Sequence, residues 1–331
     1  GGIEQNVKFA YPAWVEGAKT GMDVMKRYMD KDETVKLEYA SKYASTANYW
    51  KNRQGMIDAL TKAGTAKTKE KEEAKFNAWA NKKANKAKYG KVITTINDYY
   101  AQTNLKTSHD NYLSQLMRTS AYGGVPANIG NSLIAYYKEN EAKRKEILPR
   151  LNGLIENVYG KFHAPLEKDV FAAQLNLYTS KGAAYGLPEG VARLKEENKG
   201  DFTSYINNAV AKSIFATKES VLAFMRDPKP ENIVNDPLYV VSNELLVKMR
   251  ARSAEQVKAA DDFEIAFRNL VAGLRESKMN SIKYPDANST LRLTYGKVRA
   301  LPADKRNDAK INNYTTMTGM VKKYKAGDQE F

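Results

Sequence analysis

Two histidines and no cysteine set the limits of what this 331-residue chain could catalyse. Without cysteine there is no disulfide, no thiolate metal site and no sulfur nucleophile. His109 stands beside Ser108 and Asp110, where local capping of a helix start is the expected role. His163 precedes Ala164-Pro165 in a connection, and a structural or surface role is expected there. HExxH spacing is absent, so no metal ligand is assigned. A serine triad needs a nucleophile, a base and an orienting acid in contact. The sequence offers neither a GxSxG elbow nor an SxxK pair, and no glycine-rich phosphate or dinucleotide loop. No catalytic residue and no cofactor is therefore assigned to the chain taken by itself.

The most unusual local chemistry lies in YASKYASTANYWKNRQGM, residues 39–56. Asn48 and Asn52 are four apart and share one face of a helix. Asparagine is a mediocre helix former because its amide competes for backbone bonds. Two of them on one face, set among alanines and next to Trp50, could present carbonyl oxygens to a ligand's ammonium group. The plainer alternative is that both cap neighbouring loops or face water.

The elements that must carry these residues are mostly helical. From Pro12, the set Trp14, Ala18, Met22, Met25 and Met29 recurs at three- and four-residue steps. Asp32 is a natural N-cap for a second helix that runs past Gly55 and stops at Gly64. A lysine-rich helix is expected over 68–87, burying Phe76, Trp79 and Ala80, followed after Gly90 by helices around Val92–Tyr100 and from Ser108. Tyr122-Gly123-Gly124-Val125-Pro126 reads as a turn. Helices are expected over 132–159, interrupted or kinked at Pro149, and over 165–178, with an exposed loop over 181–190. Asp201 and Thr217 are expected N-caps, two Asp-Pro pairs bracket an irregular segment over 227–237, and one long helix is expected over 238–279. Near Tyr284-Pro285-Asp286 the character changes, and Thr290 to Tyr295 alternates with period two, a strand signal. The expectation is a mainly α chain: a large domain of many antiparallel helices over 1–283, then a short β segment over 284–331.

Composition narrows the class further. An apolar share of 42% suffices for a packed core, and 21 tyrosines imply rings that need partners for their hydroxyls. No apolar run approaches the ~20 residues needed to span a bilayer. The opening Gly1-Gly2-Ile3-Glu4 has neither a basic nor an apolar leader region and reads as a trimmed chain rather than a signal peptide. The net charge of +15 comes from 53 Lys plus Arg against 38 Asp plus Glu, with the excess concentrated between Lys62 and Lys91. That stretch reads as a solvated helical face; no nucleic-acid motif accompanies it, and no nucleic-acid partner is assigned.

The segment YASKYASTANYWKNRQGM resembles the helical domain of the bacterial dipeptidyl-peptidase 7 and 11 family. The resemblance recurs in order at FHAPLEKDVFAAQLNLY from Phe162, KSIF from Lys212, the two Asp-Pro pairs and YPDANSTLRLTYGKV from Tyr284. It ends in TTMTGMVKKYKAGDQEF from Thr315, where Met317 and Lys322 depart from the commoner leucine and glutamate. The resemblance implies a periplasmic or cell-surface, homodimeric serine exopeptidase that releases dipeptides from peptide N-termini. Its triad would be carried by a chymotrypsin-like double barrel, with a helical domain inserted over the cleft. It places the triad outside this chain, so the chain alone is expected to be inactive. It implies that the segment from 284 returns into the barrel, and that an asparagine of the helical domain holds the substrate's N-terminus. Asn48 is the first choice for that role and Asn52 the second. The overall texture leans toward the apolar-preferring branch. The alternatives from other classes are a non-catalytic helical binding or scaffold module and a basic nucleic-acid-binding protein.

Overall fold

The computed structural model describes residues 1–279, 293–298, 316–324 and 326. The chain divides into two compact units, 1–280 and 281–331.

The first unit is helical wherever it is regular. It opens with α1 (Gly2–Gln5), a π-helical stretch (Asn6–Ala10) and α2 (Tyr11–Met29), which run on as one rod. α3 (Glu33–Lys62) returns along that rod after a turn of three residues. Asp32 caps α3 as its residue type demands, accepting from Thr34 N and Val35 N, and Gly64 ends the hairpin in the left-handed conformation at φ +59°. α4 (Thr65–Ala80) and α5 (Lys86–Tyr89) lead into α6 (Val92–Thr119), whose 28 residues make it the spine of the unit.

The N-terminal half of α6 packs Val92, Ile93 and Ile96 with Phe76 of α4. Its C-terminal half joins Leu113 and Leu116 to the largest core cluster. That cluster is completed by α9 (Ala164–Lys181), α10 (Glu189–Glu197), α11 (Thr203–Lys212) and α13 (Pro237–Arg250), reached through α7 (Ala121–Lys138) and α8 (Glu141–Tyr159). α12 (Lys218–Arg226) adds Val221 to a second cluster with Ile129, Ile155 and Phe215. α14 (Ala254–Glu276) lies along α6 and contributes Ala266 to the α4–α6 cluster. The α2–α3 hairpin has its own small core, Val24, Met25, Val35 and Tyr39, closed by Leu166 and Val170 of α9.

Several sequence expectations need correction. His109 does not start a helix: it lies inside α6 and is 1% exposed. The Tyr122–Pro126 stretch is not a turn but lies within α7. The chain breaks instead at Ser120, whose side chain accepts from Tyr122 N. The two glycines serve a close approach, since a Cβ on Gly123 would run into the Leu116 carbonyl and one on Gly124 into that of Met117. Pro126 is accommodated because the N–H that follows, on Ala127, donates to Ser242 Oγ of α13 at 3.0 Å.

The helix expected over 132–159 is two helices. The break falls at Asn140, whose side chain accepts from Lys143 N, and Pro149 sits inside α8. The long helix expected over 238–279 breaks at Ala251–Ser253, where Ser253 and Gln256 form a capping box that starts α14. Residues 182–185 form a 3-10 turn rather than open loop, with Gly182 buried. The lysine-rich helix ends at Ala80, short of the expected 87.

In the second unit, residues 293–298 are exposed and without regular structure, and the rest of the expected strand lies outside the described residues. A strand needs a partner for its backbone groups, and among the described residues none is present. Thr316 caps a short helix, α15 (Met317–Lys323), accepting from Gly319 N at 3.0 Å.

Candidate functional site

The site follows from the way α3 is held. Its inner face meets the π-helical stretch and α2 through aromatic contacts. Arg53 lies over the Tyr11 ring at 4.9 Å, and Tyr49 meets Trp14 edge-on at 6.3 Å. The Trp50 indole N–H is enclosed without a hydrogen-bond partner among the described residues. Asn48 and Asn52 do share one face, as their spacing requires, and that face is turned away from the packed one. Both are exposed, and their side chains make no hydrogen bond among the described residues. They therefore cap nothing; their amides are available to whatever approaches the outer side of the hairpin.

The register of that hairpin is fixed by a buried carboxylate that the sequence reading missed. Glu167, in the first turn of α9, has a side chain only 3% exposed. Its Oε1 accepts from the Tyr39 hydroxyl at 2.9 Å and pairs with Lys42 Nζ at 3.1 Å, while Oε2 accepts from Ala121 N at 2.7 Å. The Tyr39 hydroxyl in turn accepts from His163 N at 3.0 Å. One carboxylate thus ties α3, the start of α7 and the start of α9 together. Burial, reinforced by the Glu167 charge, pushes the Tyr39 hydroxyl far above its ordinary range, so it stays a donor. The signal was present in the spacing. Glu167, Phe171, Gln174 and Tyr178 recur on one face of α9, and a charged residue on an otherwise core-facing stripe implies buried partners.

The two histidines serve structure. His109 Nδ1 lies 3.0 Å from Asp110 Oδ1 and Nε2 lies 2.9 Å from the Tyr178 hydroxyl, with the Tyr178 and Tyr185 rings packed against the imidazole. His163 occupies the N-cap position of α9 and meets the Tyr28 ring edge-on at 5.7 Å. Among the described residues no group of three or more His, Asp or Glu is placed to hold a metal ion, and no helix is long and apolar enough to cross a membrane. No Ser–His–acid arrangement is assembled from the hydrogen bonds these two histidines make.

A family model for peptidase S46 matches residues 1–331, and the chain belongs to that family. It is 44% identical to dipeptidyl-peptidase 7 of Capnocytophaga gingivalis, over 99% of this chain and 46% of that protein. It is 25% identical to the Asp/Glu-specific dipeptidyl-peptidase of Porphyromonas gingivalis, over 93% of this chain and 43% of that protein. The crystal structure of Porphyromonas endodontalis DPP11 in complex with the dipeptide Arg-Glu superimposes with a TM-score of 0.74 at 23% identity, covering 99% of this chain and 47% of that one, a likeness of fold. The chain is thus homologous to serine dipeptidyl-peptidases and spans less than half the length of these relatives.

Proposed function

We propose that this chain is the substrate-gating helical domain of a periplasmic or cell-surface serine dipeptidyl-peptidase, a homodimer that removes dipeptides from peptide N-termini. The triad and oxyanion hole would lie in parts of the enzyme beyond this chain, and the segment from 284 would return into the catalytic barrel. The observation that carries the reading is the α2–α3 hairpin. Its inner side is bolted down by Glu167 and its outer side offers two free asparagine amides. An exopeptidase must grip a free α-ammonium and refuse longer extensions. Carbonyl oxygens carried on a helix that is already held in place supply that grip without ordering the backbone on binding. Asn48 is assigned as the group that accepts from the substrate ammonium, and Asn52 as its second.

Identity to one dipeptidyl-peptidase 7 reaches 44%, while relatives of both kinds also lie at 25–28%, so the preference at the second substrate residue is what the assay decides. The test is Asn48→Ala in the full-length enzyme, assayed on dipeptidyl substrates apolar or acidic at that residue. A hydrogen bond to a charged group contributes about 1.5–3 kcal/mol, so kcat/KM should fall by roughly 10- to 150-fold. Unchanged kinetics would remove Asn48 from the site. A full-length protein that cleaves neither substrate would instead favour a non-catalytic scaffold.

A further inference from the structure

The lysines of α4 are sorted by face. Lys67, Lys71 and Lys75 recur every four residues along the solvent side, and all three are exposed. Lys82 and Lys83, exposed as well, follow in the tight turn that Asn85 pins by donating to the Trp79 carbonyl at 3.0 Å, and the exposed Lys86 opens α5. None of the six has an ion-pair partner among the described residues.

The acids of the same helix are placed elsewhere. Glu72 takes Lys69 at 2.6 Å, Glu73 accepts from Asn97 at 3.1 Å, and Glu70 faces a cleft beside Glu4. Like charges four apart on a helix repel and destabilise it, so an unneutralised ridge is a cost that an external anion would relieve.

The chemistry of the ridge describes its partner. Its lysines stand exposed along one helix face, so they do not enclose a small molecule. It carries lysine alone, without the guanidinium forks or aromatic rings that read a carboxylate pair or stack on bases. Between the lysines stand Ala74 and Ala78, both exposed, whose small side chains let the helix lie close to a plane. Hydrated point charges in a row, with no apolar anchor, fit a flat and multiply charged phosphate surface. We propose that this ridge docks the protein on an anionic phospholipid surface by electrostatics alone, without insertion.

The experiment is co-sedimentation of the full-length protein with phosphatidylcholine vesicles, with and without phosphatidylglycerol, at low ionic strength. Binding should require phosphatidylglycerol and fade as salt screens it. The variant K67Q/K71Q/K75Q should lower partitioning on the order of a hundredfold, about fivefold for each lysine. Circular dichroism would check that the variant remains helical. The triple K161Q/K212Q/K229Q removes the same charge from other exposed positions and should leave binding little changed. Equal loss in both triples would make net charge the cause and overturn the ridge. So would an absence of binding to phosphatidylglycerol vesicles at low salt. Tighter binding of inorganic polyphosphate or an acidic peptide than of vesicles would overturn the lipid reading.

Discussion

Replacing Glu167 by glutamine is the sharpest probe of how the hairpin is held. All three groups that reach the carboxylate, the Tyr39 hydroxyl, the Lys42 ammonium and the Ala121 amide, are donors. A glutamine keeps one acceptor oxygen and turns an NH2 toward donors whichever way it rotates, so at least one buried partner is orphaned. Breaking a fully buried charged contact costs about 3–5 kcal/mol. Retaining one oxygen, and the partial exposure of Lys42 at 38%, reduce the expected loss to about 2–3 kcal/mol. At about 2 °C per kcal/mol for a unit of this size, the Tm should drop by roughly 5 °C in thermal unfolding followed by far-ultraviolet circular dichroism. Lys42→Met should cost less, about 1 kcal/mol, because Lys42 is partly exposed and Glu167 keeps the Tyr39 hydroxyl and the Ala121 amide as donors. The reasoning fails if Lys42→Met is as damaging as Glu167→Gln. The bond across the hairpin would then be an ion pair rather than the joint capping of α7 and anchoring of Tyr39.

Gly55→Ala should raise stability by about 0.5–1 kcal/mol in denaturant titration, because it lies mid-helix and an added Cβ meets nothing within 4 Å. Gly123→Ala should lower it by about 1–3 kcal/mol, since its Cβ would press on the Leu116 carbonyl. Burial works against ionisation of Asp110, yet hydrogen bonds from His109 and Lys106 outweigh it and hold its carboxyl below the usual value. That contribution is complete above the unfolded carboxyl's titration near ~4 and is lost as pH falls through the folded value, so Asp110→Asn should flatten the acid limb of a stability–pH curve. At the other end, burial and the Asp169 contact push the Tyr28 hydroxyl up to about 12. Its contribution is complete below about pH 10 and fades as pH rises through that folded value, and Tyr28→Phe should remove this part of the alkaline loss.

What could be read from the sequence was what depends on neighbouring residues alone. Asp32 and Thr217 act as caps because each side chain bonds amides two or three residues away. Gly64 stops α3 because it alone takes the left-handed turn there without strain. The shared face of Asn48 and Asn52 follows from helical spacing. Tyr122–Pro126 was misread because its glycines answer to the backbone of α6, a tertiary demand that looks locally like a turn. The breaks at Asn140 and Ser253 carried local signals, a cap and a capping box, inside stretches otherwise rich in helix formers. Glu167 was legible only by half: its place on the core-facing stripe of α9 implies buried partners, but those partners come from separate elements, and nothing beside it in sequence names them.

The same separation bears on how the chain folds. The α2–α3 hairpin closes over a three-residue turn, so its internal contacts are local and should form early. Its attachment is not local, because Tyr39 lies 128 residues from Glu167 and Ala121 lies 46 away on another segment. The entropy of closing those loops must be met before the carboxylate finds its donors. The fastening of α3 through Tyr39 is therefore a late folding step. Under native conditions α3 can detach ahead of the core, whereas α2 places Ala13 in one cluster with Leu113 and Phe171; the α3 amides would therefore exchange hydrogen first.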